Sequence, residues 1–178
     1  MVKDKITSGF ILTILINLLT FAGIYGLSSL VLDNKGRIAM PARYKEQLKE
    51  LAAGSLIVTK DPQYPSLLIY PGNLWKEISN SFEKLSGLNP KLRALQWNFL
   101  GNAHQIDFEA SERMNILFPQ SLREYAHLKE KQKVILIGMG QKFELWSEKN
   151  WKVKESGKEI KGERIDIELP EEVRRIPF

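Results

Sequence analysis

No cysteine occurs among the 178 residues, which excludes disulfides, thiolate metal sites and cysteine nucleophiles together. Histidine is almost as scarce, and His104 and His127 are too few imidazoles for an ordinary zinc or facial-triad centre. The chain also lacks a His-Glu-x-x-His helix, a glycine-rich phosphate loop and a Gly-x-Ser-x-Gly elbow. These gaps point away from an enzyme, and no cofactor or metal is expected. His104 opens an extended segment and His127 follows a helical one, the setting of ordinary surface or interface histidines. What remains is a chain of about one domain's length, 43% hydrophobic and 26% charged, able to bury a real interior.

The net charge of +5 permits nucleic-acid binding without requiring it. From Lys152 onward seven basic and seven acidic residues cancel, so most of the excess belongs to the middle of the chain. Ahead of it, Gly9 to Leu32 forms a run of 24 uncharged residues behind Lys3 and Lys5, long enough to cross a bilayer. Residues 1–23 are preferred as an upstream-start artefact or a dispensable extension, with a membrane anchor over residues 9–32 as the alternative. Leu27 to Leu32 also fits a buried strand.

A repeat organises the rest. Leu30-Val31-Leu32, the turn Asp33-Asn34-Lys35-Gly36 and Arg37-Ile38-Ala39-Met40 read as a hairpin. Pro41 opens a helix over Ala42 to Leu51, with Tyr44, Leu48 and Leu51 on one face. Two strands follow, Leu56 to Thr59 and Leu67 to Tyr70, and then two helical patterns separated by Asn89-Pro90. After Gly101 the order returns: extended Gln105 to Phe108, a polar turn, extended Arg113 to Phe118, a helix opened by Pro119, strands Val134 to Ile137 and Phe143 to Trp146, and a helix carrying Trp151. Arg37 and Arg113, Tyr70 and Trp146, and Trp75 and Trp151 are each 76 residues apart, whereas Pro41 and Pro119 are 78 apart. One compensated slip of two residues therefore lies in the second copy. Copies this small cannot each bury an apolar face, so they should pack as one module about a pseudo-twofold axis.

Asp33 stands four residues before Arg37 across a tight turn containing Gly36. An acid so placed can brace the guanidinium or order the turn that carries it. A projected arginine on a β ribbon suits the DNA major groove, where its fork reaches guanine O6 and N7. Lys35 and Arg43, with Lys45 and Lys49, could then meet phosphates. Glu109 and Arg113 repeat the acid-x3-arginine spacing. A lone pair of this kind is more often a simple surface salt bridge. Its recurrence at the repeat distance favours DNA.

The run Leu32-Asp33-Asn34-Lys35-Gly36-Arg37-Ile38-Ala39-Met40-Pro41-Ala42-Arg43-Tyr44 resembles the MraZ transcriptional regulators, which are built from two tandem SpoVT/AbrB-type domains. Leu68-Ile69-Tyr70-Pro71 with Trp75, Phe118 to Ala126, and Gly140 to Trp146 extend the resemblance over about residues 24–152. It implies an α+β fold of two AbrB-like, swapped-hairpin repeats, each followed by helices. The expected organisation is an extension over 1–23, a first domain over 24–76, a helical connector over 77–101, a second domain over 102–152 and a charged tail over 153–178.

The resemblance further implies a cytoplasmic, nucleoid-associated regulator that binds short tandem repeats of double-stranded DNA upstream of the division and cell-wall gene cluster, as a ring-shaped homo-oligomer. Arg37 and Arg113 would contact bases, Lys35 and Arg43 phosphates, with Asp33, Gly36 and Glu109 supporting the motifs. The second motif departs from the pattern: Glu109 replaces Asp, Glu112 stands where Gly is usual, and two extra residues precede Pro119. Counting back from Pro119 instead places Ser111 and Asn115 at the motif positions, and both registers remain open. An antitoxin-like interaction module and a membrane-anchored scaffold are the rival functions.

Overall fold

The computed structural model describes residues 23–52, 54–85, 89–107 and 114–158. In chain order they form β1 (Ile24–Val31), β2 (Arg37–Ala39), α1 (Ala42–Leu51), β3 (Ser55–Lys60), β4 (Leu67–Pro71), α2 (Gly72–Glu83), α3 (Pro90–Phe99), β5 (His104–Asp107), β6 (Asn115–Leu117), α4 (Gln120–Tyr125), β7 (Lys133–Gly140), β8 (Phe143–Ser147) and α5 (Glu148–Glu155). Helices α1, α2 and α4 begin directly after Pro41, Pro71 and Pro119, whose fixed φ sets the entry without a side-chain cap. Asn89 caps α3 by accepting from the Lys91 and Leu92 N–H groups, and the Ser147 hydroxyl accepts from Asn150 at the start of α5.

The expected hairpin across residues 30–40 does not pair with itself. Strand β1 runs antiparallel to β7 from the second repeat, while β2 pairs with β6. The exchange is mutual, since β5 pairs with β3 of the first repeat. A six-stranded sheet results, ordered β1-β7-β8-β4-β3-β5, beside the two-stranded β2-β6 ribbon. This is the swapped, tandem α+β arrangement that the repeat and the resemblance imply.

The pseudo-twofold axis can be located residue by residue. In the sheet it passes through the Leu68–Glu144 pair, 76 residues apart, and in the ribbon through Ile38–Ile116, 78 apart. Two reciprocal backbone bonds flank the ribbon: Met40 N–H donates to Met114 O at 2.8 Å, and Phe118 N–H donates to Gly36 O at 3.0 Å. The slip has a plain origin in loop lengths. Residues 32–36 connect β1 to β2, whereas the longer stretch 108–114 connects β5 to β6; the β3–β4 loop, residues 61–66, is in turn matched by a tighter β7–β8 turn.

One core belongs to both repeats, bringing Ile38, Tyr44, Leu48, Ile116, Phe118, Leu122, Phe143 and Leu145 together. Tyr44 meets Phe143 edge to face at 4.9 Å between centroids. Leu51, expected on the same helix face, is instead 38% exposed. A second cluster joins Leu68 and Tyr70 on the sheet to Ile78, Phe82, Leu92, Leu95 and Phe99 of α2 and α3.

The part of the apolar N-terminal run from Ile24 onward is a strand of this sheet, paired at every position from Ile24 to Val31, and so is unavailable to a membrane span. It lies at the sheet edge with Tyr25, Leu27 and Val31 exposed, so of the Leu27–Leu32 segment that also fits a buried strand, Leu32 is buried and Leu30 partly so. Residues 1–22 lie outside the described residues, and among those described no helix is long and apolar enough to cross a membrane. Helix α5 continues through Glu155, so the expected tail boundary at residue 153 falls within a helix.

Gly138 gives the exchanged β1–β7 contact a direct test. A Cβ there would stand 2.6 Å from the Ile24 carbonyl oxygen, a backbone atom that cannot rotate away. Gly138→Ala should cost about 1–3 kcal/mol, the usual range for an overpacked interior, and lower the midpoint of thermal unfolding followed by circular dichroism.

Candidate nucleic-acid interface

The turn between β1 and β2 is built around one carboxylate. Asp33 Oδ1 accepts from the backbone N–H groups of Lys35 at 2.8 Å and Arg37 at 2.9 Å. Its Oδ2 accepts from Arg37 Nε, and Arg37 Nη2 also lies 2.8 Å away. Backbone bonds close the turn, from Asp33 N–H to Arg37 O and from Gly36 N–H to Asp33 O. The carboxylate thus does both things expected of it, ordering the turn and bracing the guanidinium. Arg37 keeps 37% of its side chain exposed, with Nη1 uncommitted among the described residues.

Gly36 is required by two constraints at once. Its φ is +77°, in the left-handed region, and a Cβ would stand 2.7 Å from Arg123 Nε. Arg123, on α4 of the second repeat, is anchored there by Nε donating to Phe118 O and by an ion pair to Glu130 at 3.1 Å. One repeat therefore supports the arginine turn of the other. Sequence reasoning did not single out Arg123. Its position within the Phe118 to Ala126 motif is the signal that was present.

The remaining expected residues separate into groups. Lys35 is exposed on the turn beside Arg37. Arg43 is turned instead to β1, its Nη2 donating to Leu27 O, Ser28 Oγ and the Tyr44 hydroxyl. That hydroxyl in turn reaches the Tyr25 and Gly26 carbonyls, so Arg43 and Tyr44 fasten α1 to the edge strand. Glu109, Ser111 and Arg113 lie outside the described residues. Asn115 is described, and the ribbon register makes it the twofold counterpart of Arg37, each immediately preceding the central isoleucine.

Partial shielding pushes the Asp33 pKa up, but the Arg37 backbone N–H, its guanidinium and the Lys35 N–H outweigh this and hold it below the ordinary carboxylate value. Asp61, in the β3–β4 loop, behaves oppositely. Burial raises its pKa despite hydrogen bonds from Gln63 N–H and Ser66 Oγ. No group of metal-binding side chains is assembled among the described residues.

Fold and turn together define an α+β module of two interleaved tandem repeats that displays a braced arginine on a β ribbon. Comparison with known proteins makes the assignment specific: the family model described as "MraZ protein, putative antitoxin-like" matches residues 24–98 and again residues 99–163. The transcriptional regulator MraZ of Nitrosospira multiformis is 48% identical over 120 residues, covering 67% of this chain and 78% of that protein. That of Shewanella amazonensis is 44% identical over 126 residues, covering 71% and 80%. That of Shewanella oneidensis is 39% identical over 142 residues, covering 79% and 91%. The chain belongs to the MraZ family, whose members named here are regulators, a role without catalysis.

The depressed pKa of Asp33 fixes the sign of its pH dependence. The stability it contributes is present above its unfolded pKa, near 3.8, and is lost as pH falls through the lower folded value. Unfolding midpoints of wild type and Asp33→Asn, compared by denaturant titration, should therefore differ at neutral pH and converge on acidification. Asp61 titrates in the other direction and is common to both proteins.

Proposed function

We propose that this protein is a sequence-specific, double-stranded DNA-binding transcriptional regulator, with Arg37 reading bases and Lys35 meeting phosphate beside it. The single observation that carries the reading is the Asp33–Arg37 turn. A guanidinium held at Nε and Nη2 by one carboxylate oxygen loses little further entropy on binding, and retains donors for a guanine edge. The name that these relatives carry, transcriptional regulator, supports the same conclusion.

In the second repeat Arg113 remains the proposed partner of Arg37, braced by Glu109. The ribbon register supports the other alternative, the Ser111/Asn115 register, in which Asn115 occupies the position of Arg37. Asparagine can pair with adenine N6 and N7, so the two halves would read different bases. Arg43 is better described as a fastener of α1 than as a phosphate ligand.

The proposed targets are tandem repeats upstream of the division and cell-wall gene cluster, engaged on the nucleoid in the cytoplasm by a ring-shaped homo-oligomer. Linked subunits on successive repeats raise affinity through effective concentration. Self-association is supported by the edge strand β1, whose Tyr25, Leu27 and Val31 are exposed beside exposed Met139 of β7.

Arg37→Ala tests the reading. Loss of a bidentate guanine contact costs about 1–3 kcal/mol, so preference for the natural promoter over a scrambled duplex should fall roughly 5- to 150-fold per contact in gel-shift titrations. Arg37→Lys should not restore it, because a point charge lacks the fork. An unchanged preference would reject the mechanism and favour an antitoxin-like protein partner.

A further inference from the structure

Beside the arginine turn a groove of about 840 Å³ runs from α4 to the start of α5, lined in part by Arg123, His127, Lys129, Lys133, Lys149 and Asn150. It is continuous with the turn at two places. Leu32 N–H donates to Gln132 O at 3.0 Å and Lys131 N–H returns to Leu32 O at 2.8 Å, while Arg123 packs under Gly36. We propose that this groove carries the phosphate backbone of the DNA strand running past the Arg37 turn, with Lys129, Lys133 and Lys149 as its phosphate ligands. The inference rests on the DNA-binding reading above and adds a second contact surface to it.

Charge accounting supports an anionic occupant. Glu124 and Glu148 also line the groove: Glu148 pairs with Lys152 at 3.2 Å and Glu130 pairs with Arg123, while Glu124 accepts from the neutral Gln120 amide and keeps its charge, so Arg123, Lys129, Lys133 and Lys149 face two carboxylates in the lining. Lys129, Lys131, Lys133 and Lys149 are all exposed and form no ion pair among the described residues. Unpaired cations are thus left facing solvent in a groove that adjoins the turn, a setting that counterion release rewards.

The loop is also held in a defined, costly shape. His127 and Lys131 both adopt left-handed backbone conformations, with φ of 55° and 59°, which bulky residues avoid. The strain is maintained by contacts around it: Asn150 Nδ2 lies 3.2 Å from His127 Nδ1 and donates to Pro65 O, while Lys131 N–H is tied to Leu32. A loop fixed in this way presents its lysines in a constant geometry.

The pseudo-twofold axis provides an internal comparison. Carried through the strand registers, the counterparts of Lys129, Lys133 and Lys149 are Leu51, Ser55 and Asn73. The opposite face carries Lys45 and Lys49 where this one has Arg123 and His127, so the three lysines, and not basic charge as such, distinguish the face adjoining the Asp33–Arg37 turn.

Fluorescence anisotropy with the full chain tests this, using a labelled duplex from upstream of its own gene and a scrambled duplex of equal composition, between 50 and 200 mM salt. The triple variant Lys129→Gln, Lys133→Gln, Lys149→Gln should flatten the slope of log affinity against log salt by about 0.9 per contact removed, on both duplexes, while the preference between them survives. A control triple variant on α2, at its C-cap and on α3, Lys76→Gln, Lys84→Gln, Lys91→Gln, should leave the slope near that of wild type. An unchanged slope in the groove variant, or an equal flattening in the control, overturns the groove proposal even where Arg37→Ala still abolishes preference. Absence of wild-type binding to either duplex overturns both the groove and the function it rests on.

Discussion

Strand β1 finds its hydrogen-bond partner in β7 and strand β5 finds its partner in β3, so neither repeat can complete its sheet without the other. Everything else depends on this exchange. Unpaired backbone donors and acceptors at a strand are costly once solvent is excluded, and the mutual pairing satisfies both halves with one set of bonds. The ribbon of β2 and β6 repeats the arrangement on a smaller scale, with Ile38 against Ile116 at its centre and buried in the shared core. A protein organised in this way should gain its stability as one cooperative unit.

The arginine turn draws its rigidity from the same exchange. Because β2 is paired with β6, Gly36 is brought over Arg123 of the opposite repeat, leaving no space for a side chain. Asp33 then closes the turn from within, through two backbone donors and the guanidinium. The result is a cation aimed by a carboxylate and supported from beneath by a second arginine, itself neutralised by Glu130. Edge strand β1 connects this site to the proposed oligomer, since its start is fastened by Arg43 and Tyr44 and its end feeds the turn.

The two repeats have diverged in ways with a physical basis. The longer β5–β6 connection shifts the second motif by two residues relative to its strand, and the shorter β7–β8 turn restores the register by the centre of the sheet. Trp75 and Trp151 mark equivalent positions, yet among the described residues only the first sits in a helical pair, which buries Tyr70, Phe82 and Phe99 in a separate aromatic cluster. The scaffold keeps its axis while its two faces differ in charge and in covering.

Much of this was present in local pattern. Helix α1 from Ala42 to Leu51, the strand pair β3 and β4 and the Asp33–Gly36–Arg37 turn follow from apolar periodicity, proline entry and turn chemistry, which act over a few residues. The 76- and 78-residue spacings likewise announced a duplicated module and the slip within it. What local pattern could not decide, apart from the family resemblance, was which strands pair, since a hairpin over residues 30–40 and an exchange with residues 115–140 use the same extended segments. Only the folded chain chose, because burying both apolar faces in one core requires each strand to satisfy its backbone on the other repeat. For the same reason Arg43, which reads as a phosphate ligand in one dimension, became a clasp on β1, and Arg123, unremarkable in the linear chain, became the support beneath Gly36.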